Sequence, residues 1–344
     1  MLSNKLLHIL LGAVLALATP HASEVFAQES EPNDVATTTE AVLAESEPVS
    51  WYRSEQISGN IQVGDFVVGP GLAELEVSPG ETIVAEISVT NRIEDNKTFK
   101  IEVEDITGSA DGSKSVSLTG DERGPYSLRD YISFPNDTFT LDLGERARIP
   151  VTITVPTDAE PGGFYGSVLI STDRIADTAP GEVVPRSPII ARVGSLFFVT
   201  VRGEIERSGK VLDITTLNDS LWYEEGPIDL AISYENTGSV HLNPYGELSI
   251  TNMFGEQVGY VELEPWFVLP KSIRLREITW DREFLLGRYT VTAKINRGYD
   301  NVIDEVSTTF WVLPWKIVLG TFVGIFLIIF IIRTFFKTFE FKRK

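Results

Sequence analysis

Between about residue 60 and residue 310, apolar side chains return at every second position. Ile83, Ala85, Ile87 and Val89 form one such series. Phe99, Ile101 and Val103 form another, followed by Ile149, Val151, Ile153 and Val155, and then by Phe197, Val199 and Val201. A period of two puts one face of an extended chain into a core and the other into water. The turn-forming stretches SPGE, EDNK, DLGE and AEPGG separate the runs, and half-buried strands at this roughly 8–12-residue spacing make an antiparallel sandwich.

A second set of strands begins near residue 207. Ile228, Leu230, Ile232 and Tyr234 alternate, then Leu248 and Ile250, then Tyr289, Val291, Ala293 and Ile295. Near Arg276 the phase slips, because Ile273 and Leu275 share one face whereas the next inward pair is Ile278 and Trp280. One extra residue of this kind predicts a β-bulge. The two sets also repeat each other. DLGERARIPVTITVP followed by GGFYGSVLIS (142–171) matches VLPKSIRLREITW followed by LGRYTVTAKI (268–295), and GETIVAEISVTN (80–91) matches GPIDLAISYENTG (226–238). The glycine before each second strand permits a sharp turn, and Tyr165 and Tyr289 are expected to cover the ends of the two cores. The fold expected is all-β: two tandem immunoglobulin-like antiparallel β-sandwiches, at 59–204 and 205–310, closely joined through VTVRGEIERSGKV, plus one C-terminal transmembrane helix.

The ends of the chain read differently. Residues 1–27 carry Lys5 and then an apolar run from Leu6 to Ala18, as a secretory signal peptide does, with cleavage after Ala27 or Ala22. Residues 28–58 are acidic, rich in Ser, Thr, Pro and Ala, and without periodicity, which predicts a disordered tail. Residues 317–332, IVLGTFVGIFLIIFII, hold no charge, and extension to 311–336 gives enough length to span a bilayer. Trp311 and Trp315 are placed in one interfacial belt with Lys316 at its edge, and Phe335 and Phe336 near the other. Arg333, Lys337, Lys342, Arg343 and Lys344 follow the run against Glu340 alone, so residues 337–344 are expected to be a cytoplasmic tail. The protein is thus expected in the cell membrane, single-pass, with its ectodomain extracellular. The net charge is −20, and the region before Lys316 is more acidic still. Such a surface repels nucleic acid, so no nucleic-acid partner is expected.

Little reactive chemistry is available. The chain has no cysteine and three histidines, of which His241 alone lies beyond the signal segment. In SVHLNPYG it reads as a surface histidine without a serine elbow, and neither a phosphate loop, a dinucleotide fingerprint nor HExxH occurs. Glu102, Glu104, Asp105 and Asp111 are acidic but lack calcium-loop spacing. No catalytic residue, cofactor or metal is expected, and the protein is read as a non-enzyme. Two stretches of the first sandwich are longer than its strands require: 106–136, with Tyr126, Tyr131 and Phe134, and 172–188. Those three aromatics are the candidate ligand or partner loop, or else a lid folded over the sandwich edge.

The stretches VGPGLAELEVSPGETIVAEISVTN, PYSLRDYISFPNDTFTLDLGERARIPVTITVPTDAEPGGFYGSVLIS and IIARVGSLFFVTVRG, with the architecture around them, resemble the WxL-interacting cell-surface proteins of bacteria. The resemblance implies a first domain that binds peptidoglycan and a second that binds WxL-type surface proteins. The function expected is a membrane-anchored surface protein that binds cell-wall glycan or another surface protein. The alternative is an accessory subunit of a membrane-bound secretion or pilus-assembly complex, with the Gly-x-x-x-Gly spacing of Gly320 and Gly324 packing against a partner helix.

Overall fold

The computed structural model describes residues 50–59, 61–174 and 189–338. The expected signal peptide, the acidic tail up to residue 49, most of the second long stretch and residues 339–344 lie outside the described residues. The alternating runs all form strands. In the first half these are β1 (Arg53–Gln56), β2 (Val67–Gly69), β3 (Leu72–Val77), β4 (Thr82–Thr90), β5 (Lys97–Thr107), β6 (Ser117–Leu118), β7 (Ile132–Ser133), β8 (Thr138–Leu141), β9 (Glu145–Thr154), β10 (Gly162–Arg174) and β11 (Ile189–Val201). The second half contains β12 (Gly209–Thr216), β13 (Trp222–Tyr223), β14 (Ile228–Asn236), β15 (Tyr245–Asn252), β16 (Gln257–Leu263), β17 (Ser272–Trp280), β18 (Gly287–Asn296) and β19 (Ile303–Val312). Helix α1 (Trp315–Thr338) follows.

Each half stacks two sheets over one apolar core. In the first half β1-β9-β4-β2 faces β3-β11-β10-β5, with Ile87, Ile149, Val151, Val168 and Phe197 buried between them. In the second, β12-β14-β17 faces β13-β19-β18-β15-β16 around Leu230, Ile232, Val291, Ile295 and Phe310. The connectivity is the same in both. β2 and β12 pair with β4 and β14, whereas the next strands, β3 and β13, cross to the opposite sheet and run parallel to the last strands, β11 and β19. The chain match read from the sequence is therefore a match of topology.

A buried asparagine fixes the same turn in each half. Asn91 Nδ2 donates to the carbonyls of Glu94 (2.6 Å) and Leu141 (2.8 Å), and its Oδ1 accepts the Ile93 N–H (2.9 Å). Asn236 Nδ2 donates to Val240 and Val268 (both 2.8 Å), and its Oδ1 accepts the Gly238 N–H (2.9 Å). Both side chains are wholly buried. A primary amide has the donors and acceptor needed to bind backbone on two sides of a turn at once.

The strand and helix layout departs from the sequence reading at four points. Arg53–Gln56, assigned to the tail, is a strand paired with β9, and Trp51 and Tyr52 pack edge-on against Phe139. Trp311 lies inside β19, which runs to Val312, and α1 begins at Trp315. Its 24 residues reach about 36 Å, so the helix is long and apolar enough to cross a membrane.

The third departure concerns Tyr165. Gly162 pairs with Val201 as Gly287 pairs with Val312, which makes Phe164 the counterpart of Tyr289. Phe164 packs on the first core, and Tyr165, one residue later, projects from the opposite face. A one-residue shift exchanges faces along a strand. Gly162 has a φ of +154° and Gly287 of +103°, as the sharp turn requires, and a Cβ on Gly163 would overlap the Tyr165 hydroxyl.

The fourth departure concerns the phase slip near Arg276. β17 pairs with β14 without a break from Ser272 to Trp280, so no bulge is present there. Ile273 and Leu275 instead lie on the face away from the core, where the stretch after β5 covers them. Gly112 packs against both side chains, and the Ile273 N–H donates to the Ser109 carbonyl at 3.0 Å. Together with Ile106, Tyr165, Phe198, Phe267 and Leu269, these contacts join the halves through a third, smaller apolar cluster.

Each buried group stripped of its partner costs about 1–3 kcal/mol, so Asn91→Ala and Asn236→Ala should each lower unfolding free energy by about 2–4 kcal/mol. Urea titration of the two variants checks this, and a loss below about 0.5 kcal/mol in either would refute the shared turn device.

Candidate docking edge

A strand at the end of a sheet offers a row of backbone N–H and C=O groups to any chain that pairs with it. The two halves treat the equivalent edge differently. In the first half β4 pairs along one side of β9. The other side is met by β1 at Glu145–Arg148 and by β7 at Thr152–Ile153. Pro150, between them, has no N–H to offer. Glu55 on β1 strengthens the closure through Arg148 (3.2 Å) and Arg146 (3.7 Å).

In the second half β14 pairs along one side of β17, and among the described residues no strand pairs along the other. The Ile273 N–H points outward to Ser109, so in an antiparallel ladder Leu275, Glu277 and Thr279 present their backbone groups on the same side. Superposing the pairings through Asn91 and Asn236 sets Glu277 in the place of Pro150, since Glu86 faces Pro150 and Ala231 faces Glu277.

Cations lie under this edge. Arg274 and Arg276 occupy positions where the first half has Ala147 and Ile149. The Arg274 guanidinium stacks 4.1 Å over the Phe267 ring and donates to the Phe267 carbonyl. Burial, and after it the like charge of Arg276, pulls its pKa below the ordinary value. Arg276 Nε is buried without a hydrogen-bond partner. Neither arginine is ion-paired with a carboxylate among the described residues.

The residues expected to carry function are dispersed. Tyr126 packs edge-on against Tyr165 in the junction, with ring centroids 6.2 Å apart, and Tyr131 lies 5.2 Å from Phe164 in the first core, against which Phe134 also packs. They form packing between layers, and no aromatic ring of the first half is exposed among the described residues. Trp311 stacks on Trp222 (5.5 Å), while Trp315 Nε1 and Lys316 Nζ donate to the Glu224 carboxylate at 2.9 and 3.0 Å. Arg333 and Lys337 are exposed on the last turns of α1. Gly320 and Gly324 have open space beside them.

The acidic cluster does not converge. Lys100 and Arg192 neutralise Glu102 and Glu104 on the outer face of β5, in a groove of about 760 Å³. Asp105 turns to the other face and accepts the N–H groups of Gly124, Leu128 and Arg129, each at 3.1 Å. Among the described residues no group of three or more histidine or carboxylate side chains is placed to hold a metal.

His241, read as a surface residue, is 12% exposed at the side chain and sits in the junction. The Tyr165 oxygen accepts its backbone N–H at 2.6 Å, the same hydroxyl lies 3.3 Å from Nδ1, and Glu74 is 3.7 Å from Nε2. Hydrogen-bond grammar in the sequence does not reveal this contact, because Tyr165 lies on β10 of the first half and His241 in the connection between β14 and β15 of the second.

No family model matches the chain, and no curated protein does. Among solved structures, the class 5 fimbriae chaperone CfaA is similar over 72% of this chain and 100% of its own, with 12% identity and a TM-score of 0.35. The E. coli chaperone DraB is similar over 73% of this chain and 98% of its own, at 12% identity and a TM-score of 0.32. A PapD-like domain of a human protein is similar over 46% of this chain and 98% of its own, at 9% identity and a TM-score of 0.26.

Burial, only partly offset by Glu74, lowers the His241 pKa below its ordinary 6.5. The unfolded chain therefore takes up this proton first, and the stability associated with neutral His241 is complete above pH 6.5 and declines as pH falls below it. The urea midpoint should drop as the pH is lowered through that window, and His241→Gln should flatten the drop. An unchanged pH profile in His241→Gln would contradict the assignment.

Proposed function

We propose that this protein is a non-enzymatic, membrane-anchored surface protein whose second half takes a partner protein as an added strand along β17. The observation that carries this reading is the unequal treatment of one edge: β1, Pro150 and β7 close it on β9, and Glu277 leaves it open on β17. Backbone pairing gives such a complex its affinity, and side-chain positions beside it give specificity. Two arginines without carboxylate partners favour a strand that carries an acidic side chain or a C-terminal carboxylate. The helix α1, long and apolar enough to span, supplies the anchor, and the basic residues after it favour an extracellular β-rich body.

The partner implied by the resemblance to WxL-interacting proteins, a WxL-type surface protein held by the second domain, fits this edge. Cell-wall glycan binding by the first domain stands as the companion proposal, without an exposed ring among its described residues on which a sugar would stack. An accessory subunit of a secretion or pilus-assembly complex is the second reading. It uses the same open edge, for a strand of the assembling subunit.

Glu277→Pro transfers to β17 the device that the first half already has. Its N–H has no partner in the sheet, so the unfolding midpoint should stay within a few degrees. Binding of a surface protein to the β-rich body (residues 50–313) should weaken by roughly tenfold or more, the loss of one backbone hydrogen bond worth about 1–1.5 kcal/mol. The assay is retention of surface extract and, separately, of purified cell walls on immobilised protein. Equal retention of the same surface protein by both forms would refute the edge, and retention of cell walls alone would favour the glycan reading. Co-purification of a membrane partner that is lost in Gly320→Leu/Gly324→Leu would favour the accessory-subunit reading.

A further inference from the structure

The second half exposes large apolar side chains at one end. Leu221 precedes β13 and Trp222 begins it, Met253 and Phe254 form the turn between β15 and β16, and Phe284 and Leu286 lie in the connection from β17 to β18. Phe254 is 80% exposed, Phe284 64% and Trp222 61%. The strand registers bring all three segments together. Trp222 pairs with Trp311, Gly287 with Val312, and Asn252 with Tyr289. All therefore surround the last residues of β19, and α1 begins after only Leu313 and Pro314.

The start of the helix is fixed to the same end. The Leu313 N–H donates to the Tyr223 carbonyl at 2.9 Å, and the Glu224 carboxylate takes both Trp315 and Lys316. A bilayer that accepts α1 from Trp315 onward thus lies next to the end of the second half that carries these three apolar segments. Isolated exposed apolar residues need no explanation, but a group of them encircling a membrane entry does. Tryptophan and phenylalanine at that level, each with an apolar ring free to leave water, match the residues that settle in the interface between headgroups and acyl chains.

We propose that these loop tips enter the bilayer interface and that the second half stands directly on the membrane, on four supports: the helix, Leu221–Trp222, Met253–Phe254 and the Phe284–Leu286 connection. The occupant is the lipid surface through which α1 passes. The inference rests on the membrane-anchored reading and adds a fixed height and orientation to it. The open β17 edge, which ends at Trp280, is then held close above the headgroups.

The absence of cysteine in the chain makes site-directed spin labelling direct. Full-length Phe254→Cys and Phe284→Cys, each carrying a nitroxide, are placed in phosphatidylcholine nanodiscs. Val302→Cys, in the turn between β18 and β19 and about 33 Å along the strand from Val312, is the control. The nitroxides at 254 and 284 should collide more with lipid-dissolved oxygen than with an aqueous nickel chelate, and the one at 302 should show the reverse. Aqueous behaviour at 254 and 284 in chains that have entered the discs would overturn the footing and leave the anchor standing. Low access to both reagents, the sign of a covering protein, would overturn it too. Chains that fail to enter the discs would overturn the anchor and the footing together.

Discussion

A β-strand can bury its side chains by alternation alone, but its backbone has two edges, and each must meet another strand, a side chain or water. That constraint governs this protein more than any side-chain chemistry. Within each half the inner strands satisfy both edges. β4 lies between β2 and β9, and β14 between β12 and β17. The differences between the halves are concentrated at the outermost strands. β9 is closed by a strand from the N-terminal side, a proline and a two-residue strand. Among the described residues β17 is closed at Ile273 by a bond to Ser109, and no strand pairs beyond it.

The same comparison explains why polar residues stand where a core is expected. Ala147 and Ile149 point into the first core, and their counterparts Arg274 and Arg276 point toward the second. Their neighbours on the outer face are exchanged the other way: Arg146 and Arg148 in the first half pair with carboxylates, while Ile273 and Leu275 in the second pack under the Gly112 stretch. The junction between the halves has reversed the inside and outside of one end of β17. Apolar residues went to the face the first half covers, and arginines, whose stems tolerate partial burial, went to the other.

Much of the fold was legible because alternation is a local signal. The strands, the repeat of one topology and the final apolar helix all follow from residue types a few positions apart. What was misread involves contacts across long sequence distance. Ile273 and Leu275 read as a bulge when the core is the one partner surface, and the second surface lies more than 150 residues earlier, at Gly112. Tyr165 looked like a core residue because it follows a glycine as Tyr289 does, although the pairing with β11 gives that role to Phe164. Arg53–Gln56 looked like tail because four residues with exposed side chains carry no alternation, and only the open flank of β9 makes them a strand. The docking edge had no sequence signature except a substitution visible after alignment of the two halves, glutamate where proline stands.

The junction also limits what the open edge can accept. The stretch from Gly108 to Gly112 lies along the junction end of β17 and already uses the Ile273 N–H, so an added strand can pair only from Leu275 onward. Three residues, Leu275, Glu277 and Thr279, then offer outward backbone groups before the strand ends at Trp280. Strands average about five to six residues, so an incoming segment fills the edge with little overhang at the junction side and must continue, if at all, past Trp280 toward the end from which α1 departs. Its neighbours on the core side are Arg274 and Arg276. A short extended segment that approaches from the membrane side and carries negative charge near its junction-side end satisfies all of these constraints, and a long or basic one does not.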